Sequence, residues 1–175
     1  YGDVWLDNAD RLGIDLSAIE VLFLSHWHWD HSGGLAVAIE AISAARATAG
    51  LAALVVDLHP DRPDQRGVLL PSGTMALLPP EPTLAEIEAA GGLIVTSAAP
   101  HPIGGLFVGS GLIDRVTTYE TGLVGHHSFR GDNCEPDPLI LDERFLAARV
   151  RGRGVSVLSA CSHAGVVNAC LGAMT

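Results

Sequence analysis

Two apolar runs flanking an alanine-rich stretch predict a layered α/β fold for this 175-residue chain. Val21 to Ser25 is almost wholly apolar and mixes β-branched with aromatic members, which suits a buried strand. Leu35 to Ala49 is rich in Ala, free of Pro and closed by Gly50, so it reads as a helix. Ala53 to Asp57 reads as a second buried strand. Strand, helix, strand in that order favours parallel neighbours with the helix packed on the sheet. Hydrophobic residues make up 48% of the chain and charged residues 17%. That is enough apolar surface to bury a core, which excludes a disordered chain.

The remaining elements follow in order. Residues 1–20 read as a short helix and connections, with a stop at Gly13. Residues 58–82 are rich in Pro, Gly and Asp and predict a loop, with a short strand near Thr74 to Leu77. Thr83 to Ala90 predicts a helix, because Thr83 with Glu86 three residues on forms a capping box. Gly91 and Gly92 end it. Leu93 to Thr96 and Leu106 to Val108 read as short strands. Residues 120–138 show little periodicity and predict a long functional or mobile loop. Leu139 to Leu141, Phe145 to Val150 and Val155 to Ser159 read as strands, the last two joined by a turn at Arg151 to Gly154. Arg149, Arg151 and Arg153 alternate, as a solvated strand face and turn would. Ala164 to Met174 predicts a final helix. One domain accounts for the whole chain.

The charge balance narrows the partners. Ten Lys and Arg against 20 Asp and Glu give a net charge of −10. Nucleic acid and anionic membrane both need a basic surface, so neither is expected. A small-molecule substrate is, and a phosphorylated one remains open because a local Arg or a metal can bind it. The most apolar stretch, Leu35 to Val56, is broken by Glu40, Ser43, Arg46, Thr48 and Gly50, so no membrane span is predicted. The chain opens on Tyr1 without a basic region followed by an apolar one, so no secretory leader is visible. Three cysteines (Cys134, Cys161, Cys170) predict no disulfide scaffold and a reducing, cytoplasmic setting.

The chemistry lies directly after the first buried strand. His26, His28, Asp30 and His31 place three imidazoles and a carboxylate within six residues. Neutral imidazole nitrogen and carboxylate oxygen are what zinc and similar metals accept. In an extended segment residues two apart face the same way, so His26 and His28 can share one ion. Asp30 and His31, on the following turn, face a neighbouring position, and two adjacent metal sites follow. Gly33 and Gly34 let the backbone turn into the next helix. A second strand, Val155 to Ser159, also ends before a candidate ligand, His163. Ligands gather at the carboxyl ends of strands in α/β folds. His163 therefore completes a three-imidazole site with an open fourth position, as a catalytic zinc keeps. Cys161 could ligate but reads as a small buried hydrophobe.

The His-x-His-x-Asp-His segment after a strand resembles the metallo-β-lactamase superfamily. His59-Pro60, Ser110-Gly111, Arg115 to Glu120, Asp142 to Phe145 and Ala160 to Asn168 resemble one branch of it. That branch comprises hydrolases similar to the dihydropterin-ribofuranosylaminobenzene phosphate synthase. The resemblance implies an αββα sandwich, two mixed sheets face to face with helices outside and the site along one edge. It implies that His26, His28 and His163 bind a first metal and that Asp30 and His31 bind a second. Two divalent ions are expected, zinc foremost, with iron or manganese as alternatives. Members of the branch carry further strands before the segment matching Tyr1 and a later His after the last helix. The resemblance therefore implies a fragment, incomplete at both ends.

The implied activity is that of a metal-dependent hydrolase. A metal-activated water or hydroxide would attack a small ester, lactone or phosphate-containing substrate. Asp30 would orient that nucleophile as well as bind metal. Two alternatives stay open: a dihydropterin-type synthase that displaces diphosphate at the same site, and an inactive metal-binding fragment or small-molecule binding module. His59, beside Pro60 and after a strand, reads either as pocket lining or as an exposed loop residue. His126, His127 and Arg130 read chiefly as a solvated loop that can contact an anionic substrate. Arg115 and Glu120 read as a surface pair, with Arg115 a further candidate for substrate contact. Trp27 and Trp29, interleaved with the ligands, are expected either to pack behind the imidazoles or to wall a cleft.

Overall fold

The structure, a computed structural model, describes residues 2–174. Helix α1 (Gly2–Arg11) leads through a single 3-10 turn (Leu16–Ala18) into strand β1 (Val21–Phe23). A one-turn helix α2 (Trp29–Ser32) and the long helix α3 (Leu35–Thr48) follow, then β2 (Val55–Leu58). Strands β3 (Gln65–Leu69) and β4 (Met75–Leu77) precede helix α4 (Leu84–Ala89) and β5 (Leu93–Thr96). β1, β2 and β5 form a wholly parallel sheet in the order β1–β2–β5, with Val21 opposite Val55 and Val55 opposite Leu93. Leu35, Ile39 and Ile42 recur on one face of α3 and bury against Leu24, Trp27, Leu54, Val56, Leu58 and Ile87. The capping box at the start of α4 is present: the Thr83 N–H donates to Glu86 Oε2 at 2.7 Å, and the Glu86 N–H donates to Thr83 Oγ1 at 3.1 Å.

The second half is antiparallel. β6 (His101–Ile103), β7 (Phe107–Gly109), β8 (His126–Arg130) and β9 (Asn133–Pro136) come first. β10 (Leu146–Val150), β11 (Gly154–Leu158) and helix α5 (Val166–Gly172) close the chain. One sheet runs β11–β10–β7–β6 and the other β4–β3–β8–β9. The architecture is an α/β sandwich of the expected class. Its strands form three hydrogen-bonded sheets, each wholly parallel or wholly antiparallel, where two mixed sheets were implied. Among the described residues no helix is long and apolar enough to cross a membrane.

Three expectations need correction. The segment expected as a loop at 120–138 contains the β8–β9 hairpin, and the one at 58–82 contains β3. In both, the buried side chains are polar. Arg66, His126 and Ser128 are all but inaccessible and satisfy each other's neighbourhood through Asp137. Apolar alternation, the usual mark of a strand, is absent. Conversely, Leu139 to Leu141 is irregular rather than a strand. Ile140 takes a left-handed φ of 49° and its N–H donates to Asp137 Oδ1 at 3.1 Å. That turn delivers the three charged residues Asp142, Glu143 and Arg144 into the interior.

Arg144 ties the two halves together. Its guanidinium donates to Asp57 Oδ1 at 2.7 Å and to the carbonyls of Leu24 at 2.8 Å and Asp57 at 3.1 Å. It also lies over the Phe23 ring, 4.3 Å from the centroid. It therefore holds the carboxyl ends of β1 and β2 from the segment that leads into β10. Removing Arg144 leaves buried Asp57 with His101, 2.7 Å away, as its remaining ionisable partner, and breaking a buried ion pair costs about 3–5 kcal/mol. Arg144→Met is expected to lose that much stability in urea unfolding, and Asp57→Asn added to it to recover part of the loss. An unchanged urea midpoint in the single variant contradicts this role.

Candidate metal centre

The chain leaves β1 by a bend rather than a flat extension. The His28 N–H donates to the His26 carbonyl at 3.1 Å, and α2 starts immediately after. Trp27 points into the core, fully buried. Its main-chain N–H donates to Asp142 Oδ2 at 2.7 Å, and its indole N–H to the His59 carbonyl at 3.2 Å. With Trp27 anchored, His26 and His28 turn toward one another. Their rings lie 4.7 Å apart, with His26 Nε2 3.1 Å from His28 Nδ1.

His163 reaches the same place from the loop after β11. Glu143 accepts its main-chain N–H at 2.8 Å and that of Ala164 at 2.6 Å. Gly165, at φ 98°, makes room for Glu120, whose carboxyl group occupies the space a Cβ would take. Glu120 in turn accepts the N–H groups of Val167 and Asn168 at 2.9 Å each, satisfying the first turn of α5. The result places His163 Nε2 3.1 Å from His28 Nδ1.

His28 Nδ1 thus has two nitrogens at 3.1 Å. One imidazole nitrogen has a single lone pair or a single proton, so it cannot serve both. Its state is fixed from the far side. The Asp137 carbonyl can only accept, so His126 Nδ1 donates to it, at 2.9 Å. Neutral His126 then accepts at Nε2, and His28 Nε2–H donates to it at 2.9 Å. That leaves His28 Nδ1 bare, a lone pair facing His26 Nε2 and His163 Nε2. Nitrogens bound tetrahedrally to one zinc at about 2.0–2.1 Å lie about 3.3 Å apart. The two spacings about His28 Nδ1 suit ligands of one cation, and His26 and His163 offer ligand atoms within 4.8 Å of each other.

A second group adjoins the first. Asp30 and His31, both on α2, lie with Cys161 so that their ligand atoms are within 4.8 Å of one another; His26, Cys161 and His163 meet the same criterion. His31 Nε2 is 3.1 Å from Cys161 Sγ and 3.3 Å from Asp30 Oδ2. Cys161 is exposed rather than a buried hydrophobe, because Ser162 adopts a left-handed φ of 58°.

Burial, reinforced by the neighbouring imidazoles and by the Arg66 guanidinium, pushes His26 and His28 far below the ordinary histidine range. Burial likewise lowers His126, His163 and His59. Neutral imidazoles are the ligand form. Arg66 is held by Asp142 at 2.5 Å and by Asp137 at 2.9 Å.

All five expected ligands, His26, His28, Asp30, His31 and His163, meet in this neighbourhood. The three residues expected to contact substrate are hydrogen-bonded to main-chain groups. His59 is buried; its ring accepts the Asp61 N–H at 3.1 Å. His127 bonds the Gly125 carbonyl at 2.9 Å. Arg115 donates to the carbonyls of Ile113 and Leu139. Glu120 caps α5 rather than pairing with Arg115 on the surface. Trp27 packs into the apolar core with Leu24, Leu35 and Ile39. His126, expected in a solvated loop, is buried against His28. Its only sequence signal was an adjacent pair of histidines.

The family profile of the metallo-β-lactamase superfamily matches residues 2–132, about three quarters of the chain. The chain belongs to that superfamily, whose members are commonly metal-dependent hydrolases. The matched span contains His26 to His31. Curated proteins include no significant match to the chain.

Partners behind a metal-binding histidine are worth about 10–100-fold in affinity. His126→Ala is therefore expected to weaken metal binding by about that factor without lowering the number of ions bound at saturation. Competition with a chromophoric chelator measures it, and an unchanged affinity removes His126 from the account. The buried histidines also predict a pH dependence. Their folded pKa values lie below the unfolded value of about 6.5, so the unfolded chain takes up protons first as pH falls. Stability is full above that value and declines beneath it. Urea midpoints of chelator-treated protein should fall between about pH 7 and pH 5.

Proposed function

We propose that the chain is the metal centre of a hydrolase acting on a small ester, lactone or phosphate-containing molecule. The observation that carries this is the convergence of His26 Nε2, His28 Nδ1 and His163 Nε2, with His28 Nδ1 3.1 Å from both others. These three hold a first divalent ion, zinc foremost with iron or manganese as alternatives. Asp30 and His31 contribute to a second. A bound cation supplies an acidified water at neutral pH and stabilises negative charge developing on the substrate. The protein's own residues do the rest. Asp30, more than half exposed beside His31, accepts a proton from the attacking water and orients it. His126 keeps His28 in the tautomer that presents Nδ1.

Two clefts reach the cluster. One of about 410 Å³ is lined by Tyr119 to Leu123 together with Cys161, Ser162 and His163. Another of about 800 Å³ is mainly apolar, lies against α1, β1 and α3, and includes Asp30 and His31. Substrate contacts are assigned to these linings, with His59, Arg115 and His127 as further candidates. The net charge of −10 favours a small molecule over nucleic acid or an anionic membrane. A reducing cytoplasm suits three free cysteines, one of them beside the imidazoles.

Elemental analysis of protein purified without chelator tests the reading. About one or two zinc, iron or manganese per chain are expected, and His26→Ala with His163→Ala should abolish them. Hydrolysis of a panel of esters, lactones and phosphate esters should cease with chelator and return with metal. Condensation with release of diphosphate, in place of hydrolysis, would assign the site to a dihydropterin-type synthase. Protein that stays empty with every ion offered overturns the metal reading altogether.

A further inference from the structure

We propose that Cys161 is a metal ligand shared by the two ion positions, its thiolate bridging the His26–His163 group and the Asp30–His31 group. The inference rests on the metal-centre reading above and adds a ligand and a bridge to it. Cys161 is the one residue common to both groups of closely spaced ligand atoms. Its Sγ is 3.1 Å from His31 Nε2, while the His31 ring lies tilted with its centroid 4.5 Å from that of His26. The sulfur therefore sits where the two groups meet.

The backbone supports the assignment. Cys161 and His163 flank Ser162, a non-glycine residue held at φ 58°. Such a strained conformation is kept where the surroundings over-determine it. Here the loop is pinned at both sides of the strained residue. Ser162 Oγ is 2.8 Å from Ser159 Oγ, and Glu143 holds the N–H groups of His163 and Ala164. The turn directs sulfur and imidazole toward one cluster while leaving Cys161 open to solvent. A soft thiolate between nitrogen and oxygen donors suits zinc and iron and disfavours magnesium or calcium. On binding, the thiol gives its proton to solvent, because a coordinating thiol is deprotonated outright. A bridging thiolate also supplies one of the negative charges that two neighbouring dications need.

Cobalt(II) is the probe. Its visible bands report binding to the site as a whole, and an intense near-ultraviolet absorption reports a cobalt–sulfur bond. The double variant Cys134→Ser, Cys170→Ser leaves Cys161 as the sole thiol and serves as the reference. It should bind two cobalt ions and show the near-ultraviolet band. Adding Cys161→Ser should remove that band, keep the visible bands of the imidazole site, and weaken the second ion by at least about tenfold. Circular dichroism checks the fold; the exposed position leaves no cavity. Visible bands without the near-ultraviolet band in the reference overturn the proposal and leave the metal centre standing. A band that survives Cys161→Ser overturns it as well. No cobalt spectrum at all removes the metal centre and the proposal together.

Discussion

Two adjacent buried carboxylates hold the site together. Asp142 accepts the main-chain N–H of Trp27, and Glu143 accepts those of His163 and Ala164. Trp27 is 115 residues from Asp142 in the chain, and His163 is 20 residues from Glu143. Neither ligand-bearing loop is fixed by regular secondary structure. Each is fixed by a charge-assisted bond to this one segment, of the kind that is shorter and stronger than a neutral bond. Burying two carboxylates is costly unless each is fully engaged. Arg66 engages Asp142, and Arg144 fixes the segment to the parallel sheet. The polar interior of this protein is therefore the device that superimposes two distant pieces of sequence.

The arrangement explains how neutral imidazoles can be packed this closely. Burial and mutual repulsion keep His26 and His28 uncharged. The chain from the Asp137 carbonyl through His126 to His28 then selects one tautomer. A metal ligand set arranged in this way loses little freedom when an ion arrives. Metal affinity follows from preorganisation as much as from the identity of the ligands.

Much of this was legible in the sequence, for identifiable reasons. The parallel core shows as apolar runs at Val21 and Ala53 around an Ala-rich helix, and Thr83 with Glu86 marks α4 by its capping chemistry. His26, His28, Asp30 and His31 declare themselves because ligands at close spacing are a local pattern. His163 is legible through its position at a strand end and through the family resemblance of Ala160 to Asn168. What remained hidden is non-local and polar. β3 and β8 turn Arg66, His126 and Ser128 inward, so no apolar alternation marks them. Asp142 to Arg144 stands out only by family resemblance, which assigns these residues no role. Only the fold shows that Ile140 turns these three charges into the interior. Glu120 likewise reads as a surface acid until the first turn of α5 is seen to need it.

The central claim is that the loop after β1 and the loop after β11 form one centre on a common ion. Crystals of the zinc-loaded protein, measured for anomalous scattering at the zinc edge, test it most directly. The account predicts a peak about 2.0–2.1 Å from His26 Nε2, His28 Nδ1 and His163 Nε2 together. A peak bound by His26 and His28 with His163 turned away, or zinc only at surface carboxylates, would contradict it.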